Sequence, residues 1–179
     1  MNLLKIMKKP LLSTDIHLGE MDFPCLKRGH SLTNHLSYWK SKYDEVSNNE
    51  SSSYLSIQIR NTDRYCDYKS LYEEYEEQIQ KYDAVYVATD DREALEFMQS
   101  KISKVFNFTD FPQNVKNRKR GLHYPNDVNT EIKVRDLLCD LYLMAMSDKI
   151  ITKSLGGYCK LAKSLNADKK RVREQLLSS

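Results

Sequence analysis

The sequence predicts an α/β domain on a doubly wound, mostly parallel sheet, and three observations carry that expectation. Short apolar runs rich in β-branched residues recur at residues 54–59, 84–88 and 149–152, the pattern of strands buried on both faces. Between them lie segments of helix-forming residues, several with apolar positions three and four apart. Strand and helix alternate instead of clustering, so consecutive strands run parallel and helices cover the sheet.

At the N-terminal end, residues 1–53 form a lead-in, in which Leu32, Leu36, Trp39, Tyr43 and Val46 make one stripe of an amphipathic helix that should pack on the main domain. The Ser- and Asn-rich run 47–53 reads as a loop. Residues 54–166 are the main domain. Its first strand ends at Arg60, a helix spans residues 71–80, and a second strand covers 84–88. Asp90 with Glu93 three residues on resembles a capping box, which starts a helix over 91–101 that feeds a short strand around Val105. Residues 111–129 hold two prolines, Gly121 and the basic cluster Lys116, Arg118, Lys119, Arg120, and read as a long surface loop. From 131 to 147, Val134, Leu137, Leu138, Leu141, Met144 and Ala145 share one helical face with Asp140 at its edge. A strand at 149–152, a helix over 158–165 and a charged tail at 167–179 complete the chain.

Composition bounds the function. A chain of 179 residues, 40% of them apolar, supports one hydrophobic core. Charged residues make up 30% but the net charge is only +3, which gives no global field for a nucleic-acid binder. The cluster at 116–120 lacks interleaved aromatics and reads as a solvated loop. No apolar run approaches the roughly 20 residues that cross a bilayer, and lysines interrupt the first twelve residues, so a cytoplasmic protein without a membrane span is expected. Cys25, Cys66, Cys139 and Cys159 form no CxxC pair, which points to reduced thiols and to no metal site. The sequons at Asn49 and Asn107 would matter only in the secretory pathway.

In parallel sheets ligands bind at the C-terminal strand ends. Three segments bring polar groups there. Gln58-Ile59-Arg60-Asn61-Thr62-Asp63-Arg64 sets a guanidinium just past a buried strand, suited to gripping a departing diphosphate with paired hydrogen bonds. A structural Arg60–Asp63 ion pair is the other reading. Thr152-Lys153-Ser154-Leu155-Gly156-Gly157 is a strand-to-helix turn whose glycines would let backbone amides approach an anion, or an ordinary loop. Asp140 would accept two N–H bonds from a base such as guanine, or stand as a solvated helix carboxylate. Asp90 and Asp91 have a sufficient role as N-cap residues.

Five segments in order resemble the α-1,6-fucosyltransferase and nodulation-fucosyltransferase family. Residues 58–64 are similar to its His-x-Arg-Arg-Thr-Asp-Lys motif, Val87-Ala88-Thr89-Asp90-Asp91 to its Ala-Thr-Asp-Asp turn, and Gly121-Leu122-His123 to its Gly-Leu-His. Residues 135–148 resemble its helix with the family aspartate, and 152–162 its Thr-x-Ser…Cys-Arg-x-Ala segment, with one extra residue. The resemblance implies the C-terminal, Rossmann-like donor domain of a GT-B glycosyltransferase, which binds GDP-fucose or a related GDP-sugar without metal or cofactor and inverts the anomeric centre. It implies that Arg60 holds the β-phosphate, that Asp140 and the backbone at Gln58 read guanine, and that Asn61, Asp63, Thr152, Ser154, Leu155 and Gly156 line the donor. Asp67 is the nearest carboxylate to stand for the family base. Two departures reduce charge at the pyrophosphate: Gln58 replaces the histidine and Asn61 the second arginine. Only 53 residues precede the first strand, too few for an acceptor domain, so a second chain or a longer protein would supply it. A non-catalytic nucleotide-sugar module and a plain interaction domain are the competing functions.

Overall fold

All six residues of β1 (Tyr54–Ile59) and all six of β2 (Ala84–Thr89) are buried, so the imperfect alternation of β1 and the continuous run of β2 both belong to strands covered on two faces. The computed structural model describes residues 32–47, 53–61, 65–112 and 128–177. Between and around these strands lie α1 (Leu32–Ser47), α2 (Tyr68–Ile79), α3 (Arg92–Lys101), β3 (Val105–Phe106), α4 (Thr130–Met146), β4 (Lys149–Thr152), α5 (Gly157–Ala167) and α6 (Lys169–Leu177). The strands form one parallel sheet in the order β3-β2-β1-β4.

Alternation along the central strands divides the core in two. Leu55, Ile57, Ile59, Val85, Val87 and Ile151 pack against α2 and α3 through Leu71, Ile79, Ala94 and Met98. The intervening positions Tyr54, Ala84, Tyr86 and Ala88 pack against α4, α5 and α1. Helices therefore cover both faces, the doubly wound arrangement that parallel crossovers impose. The lead-in helix belongs to this core: Trp39 is buried with its ring centroid 5.0 Å from that of Tyr142 on α4, and Tyr43 lies edge-on to Tyr54. The side chains of Leu32 and Leu36 lie outside the described residues.

Helix α2 starts at Tyr68, three residues before the expected 71, and two other ends differ from expectation for local reasons. The cap of α3 is Asp91, whose carboxylate accepts from the Glu93 amide at 3.0 Å, whereas Asp90 turns to the Asn61 amide at 2.9 Å. The charged tail is helical and docked. Val172 is buried, Lys169 Nζ donates to Asp148 Oδ1 at 2.9 Å, and Asn166 Nδ2 donates to the carbonyls of Ala145 and Ser147, satisfying the end of α4.

Cys66, Cys139 and Cys159 are free thiols, and Cys25 lies outside the described residues. So do the first sequon, the basic cluster at 116–120 and Gly121-Leu122-His123. In the second sequon, Asn107 Nδ2 donates to the Val87 carbonyl at 2.8 Å, so this amide pins the loop after β3 to the sheet. Among the described residues no helix is long and apolar enough to cross a membrane.

Candidate functional site

The chain leaves β1 toward β2 on one side, and returns from β3 to β4 on the other. Strand order therefore reverses between β1 and β4, and the C-terminal ends at such a reversal are where parallel sheets form a ligand crevice. Gln58 pairs with Thr152 in register, so Arg60 and the turn at 153–156 leave the sheet side by side. A short hydrogen-bond chain builds one wall. Thr152 Oγ1 donates to Gln58 Oε1 at 2.7 Å and accepts from the Ser154 amide at 2.9 Å, and Ser154 Oγ accepts from the Gly156 amide at 3.3 Å.

This chain of bonds fixes the approach to α5 and leaves its first turn open. Gly156 is the N-cap and supplies no side-chain acceptor. Among the described residues no N-cap side chain takes up the first-turn amides of α5, which leaves their donors and the positive end of the helix dipole facing outward. The glycine itself is not demanded by conformation. Its φ is −66°, and a Cβ there would meet only Ser154 Oγ at 3.5 Å, an ordinary contact. What the residue contributes is the missing cap, a different reason from the close backbone approach expected of it.

Arg60 stands two residues beyond Gln58, partly buried and engaged within the fold. Asn61 has a structural task instead of a clear ligand one. Its Nδ2 donates to Asp91 Oδ2 at 2.7 Å, its Oδ1 accepts from the Cys66 amide at 2.9 Å, and its own amide reaches Asp90. One side chain thereby ties the loop after β1 to the loop after β2. Asp63 lies outside the described residues. Asp67 is the N-cap of α2, with Oδ1 accepting from the Ser70 amide at 3.1 Å, and it stays exposed. Leu155 is exposed as well.

Asp140 is held on the α4 face of the sheet, where the Tyr86 hydroxyl donates to its Oδ1. Burial pushes its carboxyl up to about 8, opposed by the Tyr86 hydrogen bond and reinforced by the carboxylates of Asp136 and Asp90. Burial, then the nearby Asp140 charge, drives the Tyr86 hydroxyl well above its usual range. At neutral pH the pair is therefore mostly neutral, with one carboxyl oxygen anchored by a phenol. Asp136, one turn earlier, accepts from Arg135 at 2.7 Å and from the Asp110 amide at 2.8 Å. Arg135 also reaches Asp110 and lies over the Tyr38 ring at 4.4 Å. This clamp fastens the loop after β3 beside Asp140.

Sequence reasoning missed several of these residues. Tyr86 hides in an apolar strand, and only register shows that it faces α4. Lys153 pairs with Glu74 of α2 at 2.9 Å, and Tyr65 stands exposed three residues before α2 begins. No periodic pattern marks loop residues, and Tyr65, Lys153 and Glu74 stay exposed, so only the folded arrangement singles them out. No protein-family model matches the chain, and comparison with curated proteins finds no match.

Proposed function

We propose that this domain binds the GDP-sugar donor of a fucosyltransferase-like glycosyltransferase and supports metal-independent, inverting transfer to a glycan in the cytoplasm. The observation that carries the reading is the pairing of Gln58 with Thr152, which brings Arg60 and an uncapped helix N-terminus to one crevice at the strand-order reversal. An arginine and helix amides together suit a diphosphate, which presents several anionic oxygens in a small volume.

In this reading Arg60 and the first turn of α5 take up the charge that develops on the departing GDP, an electrostatic contribution that grows toward the transition state. Ser154 sits at the same turn and orients it. Asp140, once ionised, accepts from the Watson–Crick edge of guanine, while Gln58 supplies backbone groups beside it. Asp67 takes the acceptor hydroxyl proton. The acceptor domain is contributed by a second chain or by a longer protein.

One observation favours a second reading, a non-catalytic GDP-sugar module. Asn61 stands where the resembled family has a second arginine, and its amide is occupied by Asp91 and Cys66, so the site carries one cation fewer. Calorimetry with GDP tests both readings against an empty interaction domain. Arg60→Ala should weaken binding by about 1–3 kcal/mol through loss of a charge-assisted contact. Heat that is absent at millimolar GDP rejects both. Donor turnover, assayed with and without acceptor glycans, then separates enzyme from module.

A further inference from the structure

We propose that Lys153 is a diphosphate ligand held in reserve, which leaves Glu74 for the anion when the crevice fills. The inference deepens the nucleotide-sugar reading and rests on it in one respect, that the anion is the diphosphate of a GDP-sugar. Lys153 comes one residue after Thr152, whose hydroxyl bonds Gln58 Oε1 at 2.7 Å in the register pair that sets β4 beside β1. Neighbouring strands lie about 4.8 Å apart, so Lys153 leaves the sheet beside the start of the Arg60 loop. The backbone at this point is fixed, because Thr152 Oγ1 accepts from the Ser154 amide at 2.9 Å. A flexible stem on a fixed backbone makes the ammonium a movable charge.

Strand alternation decides where that charge rests. Ile151 packs on the α2 face of the sheet, and Lys153 follows it there to meet Glu74 of α2 at 2.9 Å. Cys66 lies in the same neighbourhood: burial pushes its thiol up, and the Lys153 charge opposes that shift. The Cys66 amide in turn donates to Asn61 Oδ1 at 2.9 Å, in the loop that starts at Arg60. The ammonium therefore stands near the residue whose side chain is committed to Asp91 and Cys66 and brings no charge to a ligand. Arg60 and neutral helix amides leave part of a diphosphate's charge unmet, and a point cation suits the remainder. Glu74 is a weak holder. Side-chain exposures of 39% for Lys153 and 51% for Glu74 put the pair in water, where such bonds contribute little and restrict two long side chains. A diphosphate offers several anionic oxygens against one carboxylate, and Glu74 stays hydrated when the lysine leaves.

The test is calorimetry on the 179-residue chain with inorganic pyrophosphate and with GDP, in the wild type, Lys153→Met, Glu74→Gln and the double variant. Both side chains are exposed, so the substitutions leave the fold intact. Lys153→Met should bind both anions about tenfold more weakly. Glu74→Gln should bind them about two- to fivefold more tightly, since the competing carboxylate is gone. That gain should vanish in the double variant, because Glu74 acts through Lys153, whereas a general loss of negative charge acts equally in both backgrounds. Equal affinity of Lys153→Met and wild type, or a Glu74→Gln gain that persists without Lys153, overturns the proposal. GDP binding that ignores Lys153 overturns the lysine's role and leaves the donor reading standing. Pyrophosphate binding that depends on Lys153, with GDP bound no tighter than pyrophosphate, upholds the lysine and removes the donor reading. Silence with both anions rejects both.

Discussion

Under the proposed donor reading, Asp140 makes guanine recognition depend on pH, with a sign and size set by its surroundings. Burial, Asp136 and Asp90 favour the protonated carboxyl, and its midpoint near 8 means that roughly one tenth is ionised at pH 7. A base that donates two N–H groups needs the ionised form. GDP affinity should therefore rise with pH, being about tenfold weaker at pH 7 than above pH 9 and about a hundredfold weaker at pH 6, or ~1.4 kcal/mol per unit. Binding at pH 7 should release close to one proton. Calorimetry in two buffers of different ionisation enthalpy measures that release, and Asp140→Asn subtracts the titration of the GDP phosphate itself. Without ligand, the raised value also predicts that stability falls as pH climbs from about 4 to about 8, by at most ~1.4 kcal/mol per unit, because the native state holds the proton longer than the unfolded chain. A wild-type profile no steeper than that of Asp140→Asn refutes the assignment.

Two further outcomes concern the scaffold. Asn61→Ala should lower stability by about 1–3 kcal/mol in urea titration, since it removes the partner of the Cys66 amide and of Asp91 Oδ2; a change below about 0.5 kcal/mol would show that the cross-loop tie is idle. Trp39→Ala should cost about 3–5 kcal/mol, or roughly 6–20 °C in Tm by scanning calorimetry, because it opens a cavity against Tyr43 and Tyr142. Trp39→Phe should cost far less than that, as the indole Nε1 is buried with no hydrogen-bond partner among the described residues. An unchanged Tm in Trp39→Ala would mean that α1 does not belong to the core.

The fold was legible because burial leaves a periodic trace. Continuous apolar runs betrayed β1, β2 and β4, and the stripe through Trp39, Tyr43 and Val46 betrayed α1. The charged tail was not legible as a docked helix, since its fit shows in Val172 meeting the core and in Lys169 capping a distant helix end, neither of which a charged run announces. The candidate site was legible only where chemistry follows a strand end. Arg60, Thr152 and Ser154 could be placed by position, and strand order then set them side by side. Asn61 could not be understood that way, because its partners Asp90 and Asp91 are some thirty residues distant and meet it through β1–β2 pairing. Asp140 showed its edge position on the helix but not its phenol partner or its raised midpoint, both of which need the sheet above it.

The central claim is that the guanidinium of residue 60 and the open end of α5 serve one anion. Titrating isotope-labelled protein with GDP and tracking individual NMR signals tests it most directly. Arg60 and the backbone amides of residues 157–159 should shift together along a single binding curve, with Arg60→Ala weakening the response of those amides. Shifts confined to one of the two groups, two unrelated midpoints, or silence at millimolar GDP would contradict the account.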